Sequence, residues 1–221
     1  MPSRYFPSVD DCDGDGLLAI GGRLDPEWLL DAYTHGIFPW PAHEKQPMLW
    51  WSPDPRAVIE WERVHFSRRL LQTCCGKRFG VTFNTDFKQV IRLCAETHSQ
   101  DGGTWLTPKM IKAYTKLHEH GYAKSVEVWH GEQMPGRRLV GGVYGVVIRG
   151  LFAAESMFHT MTDASKVALV FLLERLKERG FSLIDIQMLT PHTQRFGGVE
   201  ISRAEYLRRL DLALRKEVSF N

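Results

Sequence analysis

A short apolar stretch of the chain carries a carboxylate and an amide side by side. Residues 183–189 read as a β-strand, and Asp185 and Gln187 project from the same face of such a strand, while the apolar residues around them project to the other. Burying either polar group without partners costs about 1–3 kcal/mol. The pair is therefore either part of a satisfied structural network or a site that performs chemistry.

A second carboxylate, Glu155, lies in an otherwise apolar strand-like segment, residues 151–158. The preceding segment contains glycines at positions 141, 142 and 145, which weaken a strand unless a bulge or a close backbone approach requires them. Glu155 and the glycines together favour a cleft. Taken separately, the glycines are typical of bulges, and Glu155 reads as an outward-facing residue whose partner lies elsewhere.

Large aromatic side chains are concentrated in two proline-rich segments, residues 36–41 and 49–56. Repeated prolines prevent a regular helix, so these aromatic groups stand on irregular backbone. They either plug the edge of a core or form the wall of a pocket for an apolar or flat ligand.

Local signals place these candidates on alternating strands and helices. A short helix begins after Asp25 and ends at Gly36. Further helices are predicted at 67–75, 86–97, 107–121, 163–180 (capped by Asp163) and from the capping box at 202–205 onward. Strands are predicted at 79–83, 125–130, 139–148 and 151–158, with consecutive strands antiparallel. The pattern indicates an α/β (α+β) sandwich.

Composition limits the functional classes. With 43% hydrophobic and 24% charged residues, the chain can bury a sizeable core. The net charge of +2 neither demands nor excludes a nucleic-acid partner, because such binding depends on a local basic patch. We find no secretory signal, no run of about 20 apolar residues and no Cys-x-x-Cys spacing among the four cysteines. We therefore expect a cytoplasmic protein with reduced thiols, no metal and no membrane contact.

The ordered motifs of the chain resemble those of the leucyl/phenylalanyl-tRNA–protein transferases. These motifs are GLLAIGG (16–22), YTHGIFPW (33–40), LWWSPDPR (49–56), GTW (103–105), the segment 118–129, GGVYG (141–145), ESMF (155–158), ASK (164–166) and LIDIQ (183–187). The resemblance covers most of the chain. It implies a small N-terminal α/β domain, residues 1–57, joined to a larger catalytic domain, residues 58–221, with an acyl-CoA N-acyltransferase-like (GNAT-like) fold.

The resemblance also implies an activity. Such an enzyme moves Leu, Phe and, less readily, Met from leucyl-, phenylalanyl- or methionyl-tRNA to the N-terminal Arg or Lys of an acceptor protein, which marks that protein for degradation. Because the amino acid arrives as an activated ester, no cofactor is expected. We expect the protein to act as a monomer.

Catalytic roles follow from the same resemblance. The amide oxygen of Gln187 accepts a hydrogen bond from the attacking amine, while Asp185 orients the network and supplies negative charge. Glu155 faces the cationic side chain of the acceptor, with a structural salt bridge as the alternative.

Substrate-binding residues are inferred in the same way. Trp40 and Trp105 are expected to flank the terminal adenosine by stacking. The pocket for the Leu or Phe side chain is assigned to Tyr144, Phe152, Met157 and Val170, with ordinary core packing as the alternative. Tyr33 is also assigned to substrate binding. The tRNA phosphates are assigned to Arg63, Arg68, Arg69, Lys77 and Arg78, with a solvated helix face as the alternative.

The chain departs from the family pattern at Thr190-Pro191 and Arg195-Phe196, and the segment 133–138 is lengthened. Two other functional classes stay open. An acetyl-CoA-dependent N-acetyltransferase would need a glycine-punctuated basic loop for pyrophosphate, but residues 159–166 contain no glycine, and Asp163 would repel phosphate. A non-catalytic tRNA-binding module would have no need of Asp185 and Gln187.

Overall fold

The structure is a computed structural model that describes residues 2–42, 46–100, 105–131 and 137–221. Residues 133–136 of the lengthened segment and the first two residues of the GTW motif lie outside this range. Within it, the strands are β1 (Leu17–Ile20), β2 (Phe38–Pro39), β3 (Leu49–Trp51), β4 (Arg56–Ile59), β5 (Phe79–Phe83), β6 (Ala123–His130), β7 (Arg138–Ile148), β8 (Leu151–His159), β9 (Leu183–Gln187) and β10 (Gly198–Ile201).

The helices alternate with these strands, and all of them except α6 lie where the sequence predicts a helix. They are α1 (Pro26–Thr34), α2 (Arg68–Cys75), α3 (Phe87–Gln100), α4 (Pro108–Glu119), α5 (Ala164–Glu178), α6 (Pro191–Gln194) and α7 (Arg203–Leu214). In the described part of the chain, no helix is both long enough and apolar enough to cross a membrane.

Two sheets organise the fold. A small sheet has the order β1-β3-β2, and a seven-stranded sheet has the order β10-β4-β9-β8-β7-β6-β5. Neighbouring strands in the large sheet are antiparallel except β8 and β9, which are parallel. The chain is therefore an α/β (α+β) protein, as the sequence pattern predicts. The expected boundary at 57/58 falls inside β4, and the division into two domains stays a prediction.

The parallel strands β8 and β9 separate after a short common stretch. They pair only from Leu151 with Leu183 to Ala153 with Asp185. Beyond that point β8 continues to His159 along β7, whereas β9 ends at Gln187. The large sheet therefore opens between the two strands, next to Glu155 and Gln187.

Helices cover both faces of the large sheet. Helix α5 buries most of its length against one face, together with α2, because its apolar residues run almost all round the helix. Helices α3 and α4 cover the other face, where α1 and the small sheet extend the same apolar core.

The glycines of β7 allow neighbouring elements to pack closely against the strand, and they do not leave open space for a cleft. A Cβ added at Gly141 would lie 2.6 Å from the Cβ of Ala164, at the start of α5. Gly145 follows an irregularity in the pairing with β8, and a Cβ there would lie 2.6 Å from the Phe152 ring. Their interpretation as bulge and close-approach residues is therefore the better one.

Two predicted helix caps differ in detail from the structure. Asp163 precedes α5, but its side chain bonds Lys166 at 2.8 Å instead of capping the backbone. Ser202 does accept from the N–H of Glu205, whereas the Glu205 carboxylate binds Arg208 and Arg209 instead of completing a capping box. In both cases an available basic side chain competes successfully for the carboxylate.

The close contact between β7 and α5 gives a stability prediction. Gly141→Ala should lower the free energy of unfolding by about 1–3 kcal/mol, because α5 must shift to admit the methyl group. Gly14→Ala is the matched control, since a Cβ there would meet nothing within 4 Å. Urea unfolding of the two variants measures the difference, and equal stability would show that α5 adjusts at no cost.

Candidate active site

A cavity of about 500 Å³ lies where β8 and β9 separate. One wall is polar and contains Glu155 and Gln187, and another contains the rings of Trp40 and Trp105. The remaining wall is mainly apolar and includes Val143, Ala154, Met157, Ile186 and Met188. The cavity thus combines a flat aromatic surface, an apolar surface and two polar groups, which is the usual composition of a small-ligand site.

Asp185 lies behind this cavity in a buried ion pair with Arg56. Arg56 Nε donates to Asp185 Oδ1 at 2.9 Å, and Arg56 Nη2 donates to Oδ2 at 2.6 Å. Tyr206 Oη adds a hydrogen bond to Oδ2 at 2.9 Å. Both oxygens of Asp185 are therefore occupied, and the side chain is completely buried.

Arg56 is held by more than its partner carboxylate. Its Nη1 donates to the carbonyl of Gly36 at 3.0 Å, and its guanidinium lies over the rings of Phe38 and Tyr206 at 4.6 and 4.5 Å. Burial alone would lower the pKa of Arg56, but the adjacent Asp185 more than offsets it, so the pKa is raised. The guanidinium is a permanent positive charge inside the fold.

Gln187 connects this ion pair to the cavity. Its backbone N–H donates to Asp185 Oδ1 at 2.9 Å, and its backbone is left-handed with φ of 54°. Its side-chain nitrogen lies 3.4 Å from Glu155 Oε1, a long hydrogen bond. The strict strand alternation ends here, so Ile186, Gln187 and Met188 all line the cavity. Asp185 reaches the cavity only through Gln187.

Glu155 is held by two tyrosines from different helices. Tyr33 of α1 donates to Glu155 Oε1 at 2.7 Å, and Tyr114 of α4 donates to Oε2 at 2.8 Å. Burial raises the pKa of Glu155 to about 7, although the two tyrosine hydrogen bonds lower it. This carboxylate therefore changes charge near neutral pH. No local salt bridge to Glu155 is present among the described residues.

The two tryptophans form one stacked pair at the cavity wall. The rings of Trp40 and Trp105 lie 5.0 Å apart with an angle of 17° between their planes. The Trp51 indole donates to the carbonyl of Trp40 at 3.0 Å, which holds this irregular segment in place. A flat ligand can therefore stack on the outer face of the pair, but it does not fit between the two rings as they stand.

The other residues assigned to the Leu or Phe pocket divide into two groups. Met157 lines the cavity. Tyr144, Phe152 and Val170 do not, because they are almost completely buried in the cores on the two faces of the sheet. Tyr33 reaches the site through its hydrogen bond to Glu155 and is not in the cavity wall. For the three buried residues, core packing is the interpretation that the geometry favours.

A second cavity, of about 460 Å³, shares His192 with the first. Its wall carries basic side chains from three helices and neighbouring loops, namely His65, Arg69, Lys166, His192 and Arg195, together with Asp163. The ion pair with Lys166 lowers the pKa of Asp163, with further contributions from burial, which opposes it, and from Arg69 and Arg78. The surface is therefore a net positive recess adjoining the first cavity.

Two of the predicted tRNA-binding residues lie at or near this recess. Arg69 lies in its wall, and the positive charge of Arg78 contributes to the lowered pKa of Asp163. Arg68 and Lys77 are exposed on α2 and on the turn that follows it. Arg63 lies apart from them, in a separate groove beside Gly197 and Gly198.

The sequence analysis did not single out Arg56, Tyr114 or Tyr206 as functional residues. Arg56 was visible only inside the LWWSPDPR motif, although a charged residue in the apolar strand RAVI requires a buried partner. Tyr114 and Tyr206 gave no signal, because buried tyrosines on amphipathic helices are ordinary. The residues that depart from the family pattern have structural roles. Thr190 caps α6, Arg195 lines the basic recess, and Phe196 packs on Phe66.

Comparisons with known proteins bear on both parts of the chain. Residues 58–211 match the family model described as "Leucyl/phenylalanyl-tRNA protein transferase", and residues 22–54 match the model for its N-terminal domain. The chain is 50% identical to the leucyl/phenylalanyl-tRNA–protein transferase of Nitratidesulfovibrio vulgaris (strain DP4) over 96% of its length and 88% of that protein. It is 48% identical to the Azoarcus sp. (strain BH72) protein of the same name, with coverage of 93% and 86%.

A solved structure supports the fold assignment. The crystal structure of FemX superposes with a TM-score of 0.52 at 9% identity, covering 80% of this chain and 66% of that one. The likeness is one of fold alone, and it agrees with the GNAT-like architecture expected from the sequence.

The buried ion pair gives a prediction about stability. Arg56→Met should lower the free energy of unfolding by about 3–5 kcal/mol, because Asp185 is left as an unpaired buried charge. Arg208→Met, which breaks an exposed pair with Glu205, should cost much less, because solvent screens the attraction between exposed charges. Adding Asp185→Leu to Arg56→Met should restore part of the loss. Urea denaturation measures all three, and a loss in Arg56→Met no larger than in Arg208→Met would contradict the prediction.

Proposed function

Because the chain belongs to the leucyl/phenylalanyl-tRNA–protein transferase family, we propose that it is an aminoacyltransferase acting on an N-terminal amine. It moves Leu, Phe and, less readily, Met from the corresponding aminoacyl-tRNA to the N-terminal Arg or Lys of acceptor proteins. The observation that carries this proposal is that one cavity is lined by Glu155, Gln187 and the stacked rings of Trp40 and Trp105.

The reaction needs positioning more than activation. The amine nitrogen of the acceptor attacks the ester carbonyl carbon, a C–N bond forms, and the C–O bond to the terminal ribose breaks. The amine gives up one proton, and the ribose oxygen takes one on leaving. The α-amine has a reference pKa of about 7.7–8.0, so a useful fraction is already neutral near pH 7. The resident groups orient this amine and stabilise its developing charge.

Gln187 is the group best placed to orient the amine. A neutral amide is a poor base, but its carbonyl oxygen accepts a hydrogen bond from an amine without changing its own charge. Asp185 acts through Gln187, since it fixes the left-handed backbone by accepting from the Gln187 N–H at 2.9 Å. We therefore assign Asp185 and Arg56 as positioning residues, and Gln187 and Glu155 as residues that meet the substrates.

The two substrates occupy different walls of the cavity. The Leu, Phe or Met side chain lies on the apolar wall, where flexible Met157 and Met188 adapt to both branched and flat shapes. The terminal adenosine stacks on the outer face of the Trp40–Trp105 pair. The cationic acceptor side chain approaches Glu155, and the tRNA phosphates follow the basic recess beyond His192.

We further propose that the protein works as a monomer in the cytoplasm and that its products are marked for degradation. The supporting observation is indirect: all four cysteines are free, which suits a reducing compartment. No cofactor is required, because the ester bond of aminoacyl-tRNA supplies the free energy for peptide-bond formation.

The proposal is tested by incubating the protein with labelled phenylalanyl-tRNA and peptides that begin with Arg, Lys or Ala. Transfer to the Arg and Lys peptides, with little transfer to the Ala peptide, is the expected result. Labelled acetyl-CoA replaces the tRNA in a parallel reaction. Acetylation there, or phenylalanyl-tRNA binding without any transfer, would instead support one of the other two functional classes.

The stacked tryptophans predict a defect in tRNA use. Trp40→Ala should raise KM for phenylalanyl-tRNA by the equivalent of about 1–3 kcal/mol of lost stacking. Trp61→Ala is the control, because its indole is also half-buried but lies outside the cavity wall. Steady-state kinetics and melting temperatures are measured for both. If Trp40→Ala loses stability in proportion to activity, the residue belongs to the scaffold.

The link between Asp185 and Gln187 predicts non-additive kinetics. Asp185→Asn and Gln187→Ala should each lower kcat strongly, while the double variant should be little worse than the poorer single one. Phenylalanyl-tRNA binding should persist in all three. Assays are run well below each melting temperature, because Asp185→Asn also weakens the pair with Arg56. Additive losses in log kcat would mean that the two residues act separately.

A further inference from the structure

Glu155, Tyr33 and Tyr114 form a closed ring of short oxygen contacts. Besides the two tyrosine–carboxyl contacts of 2.7 and 2.8 Å, the two tyrosine oxygens lie 2.6 Å from each other. Each of these three contacts is short enough to require a proton between its oxygens. The ring stands at the edge of the cavity, where Glu155 is only partly exposed.

The number of protons in this ring depends on the charge of Glu155. Burial raises the pKa of Tyr33 and Tyr114 well above the ordinary value, so both hydroxyls keep their protons near neutral pH. Two hydroxyl protons serve only two of the three contacts when Glu155 is ionised. When Glu155 is a carboxylic acid, a third proton is present and all three contacts are hydrogen bonds.

In the ionised form, stronger hydrogen bonds offset the loss of the third proton. Each tyrosine then gives a charge-assisted hydrogen bond, which is stronger than its neutral counterpart. The two forms of the ring are thus close in free energy, and a positive charge in the cavity would favour the carboxylate. In the proposed function the acceptor brings such a charge on its Arg or Lys side chain.

We infer that Tyr33 and Tyr114 are positioning residues that hold Glu155 poised between acid and carboxylate, and that a cationic acceptor releases the Glu155 proton when it binds. This inference rests on the proposed function for the identity of the acceptor. Acceptor selection consequently depends on pH, because protonated Glu155 cannot form an ion pair with a cationic side chain.

The groups that face this ring come from every neighbouring element. Besides the ring members Tyr33 on α1 and Tyr114 on α4, they are Cys94 on α3, Arg56 on β4, Tyr144 on β7 and Asp185 on β9, with His159 and His192 in the cavity wall. Burial raises the pKa of Cys94 to about 12 and that of Tyr144 well above its ordinary value, so both stay neutral. Arg56 and Asp185 neutralise each other in their ion pair.

The first test is a direct titration of the free protein. Carbon-13 carboxyl NMR of glutamate-labelled protein should show one signal that titrates with a midpoint near pH 7 and is missing in Glu155→Gln. In Tyr114→Phe or Tyr33→Phe the midpoint should move to higher pH, because the carboxylate loses a donor. Tyr122→Phe, at an exposed tyrosine, should leave it unchanged. An ordinary midpoint near pH 4–5, or none that moves in Tyr114→Phe and Tyr33→Phe, would overturn the inference.

The second test measures the acceptor. The ratio of the KM for an Arg-initiated peptide to the KM for an Ala-initiated peptide should rise about tenfold for each pH unit below 7 and stay flat above it. Both peptides carry the same α-amine, so their difference reports the side chain. Calorimetry in two buffers should detect about 0.9 more proton released on binding of the Arg peptide than of the Ala peptide at pH 6 and about 0.1 more at pH 8, and no such difference in Glu155→Gln.

The outcomes separate this inference from the proposed function. Absence of transfer at every pH would reject the function, while the NMR titration of the free protein would still be informative. Normal transfer with a ratio of Arg-peptide KM to Ala-peptide KM that does not vary from pH 6 to 8 would reject the inference alone.

Discussion

The fold and the site both depend on the buried pair between Arg56 and Asp185. The two residues lie 129 positions apart in the chain, and each belongs to a strand of the large sheet. A buried charge requires a partner with good geometry, so this pair strongly specifies how β4 and β9 lie side by side. Arg56 also reaches Gly36, and Asp185 holds the backbone of Gln187, so one interaction links the N-terminal helix region to the cavity.

The neighbouring carboxylates of Asp185 and Glu155 have different electrostatic environments. Asp185 has a permanent cation as its partner and no contact with the cavity. Among the described residues, the hydrogen-bond partners of Glu155 are two neutral hydroxyls and an amide, and Glu155 borders the cavity. Such a difference in environment separates a fixed charge, which positions other groups, from a charge that responds to what binds.

Local features of this fold were predictable from the sequence, whereas long-range partnerships were not. Capping residues and apolar periodicity indicated α2, α4 and the strand carrying Asp185, because these signals act over a few residues. The contact of Glu155 with Tyr33 spans 122 positions and has no local signature. The separation of β8 from β9 was equally hidden, since strand pairing depends on the whole sheet. The resemblance, rather than the pattern, singled out Trp40 and Trp105.

The N-terminal elements supply atoms that the site cannot do without. Tyr33 and the carbonyl of Gly36 come from the first 57 residues, whereas Glu155 and Asp185 come from the remainder. Exchange of either part at that junction would disturb the contact of the Arg56 guanidinium with the Asp185 carboxylate and the hydrogen bond from Tyr33 to Glu155. A sequence change on one side of the junction at these positions therefore has to be compatible with the residues on the other side.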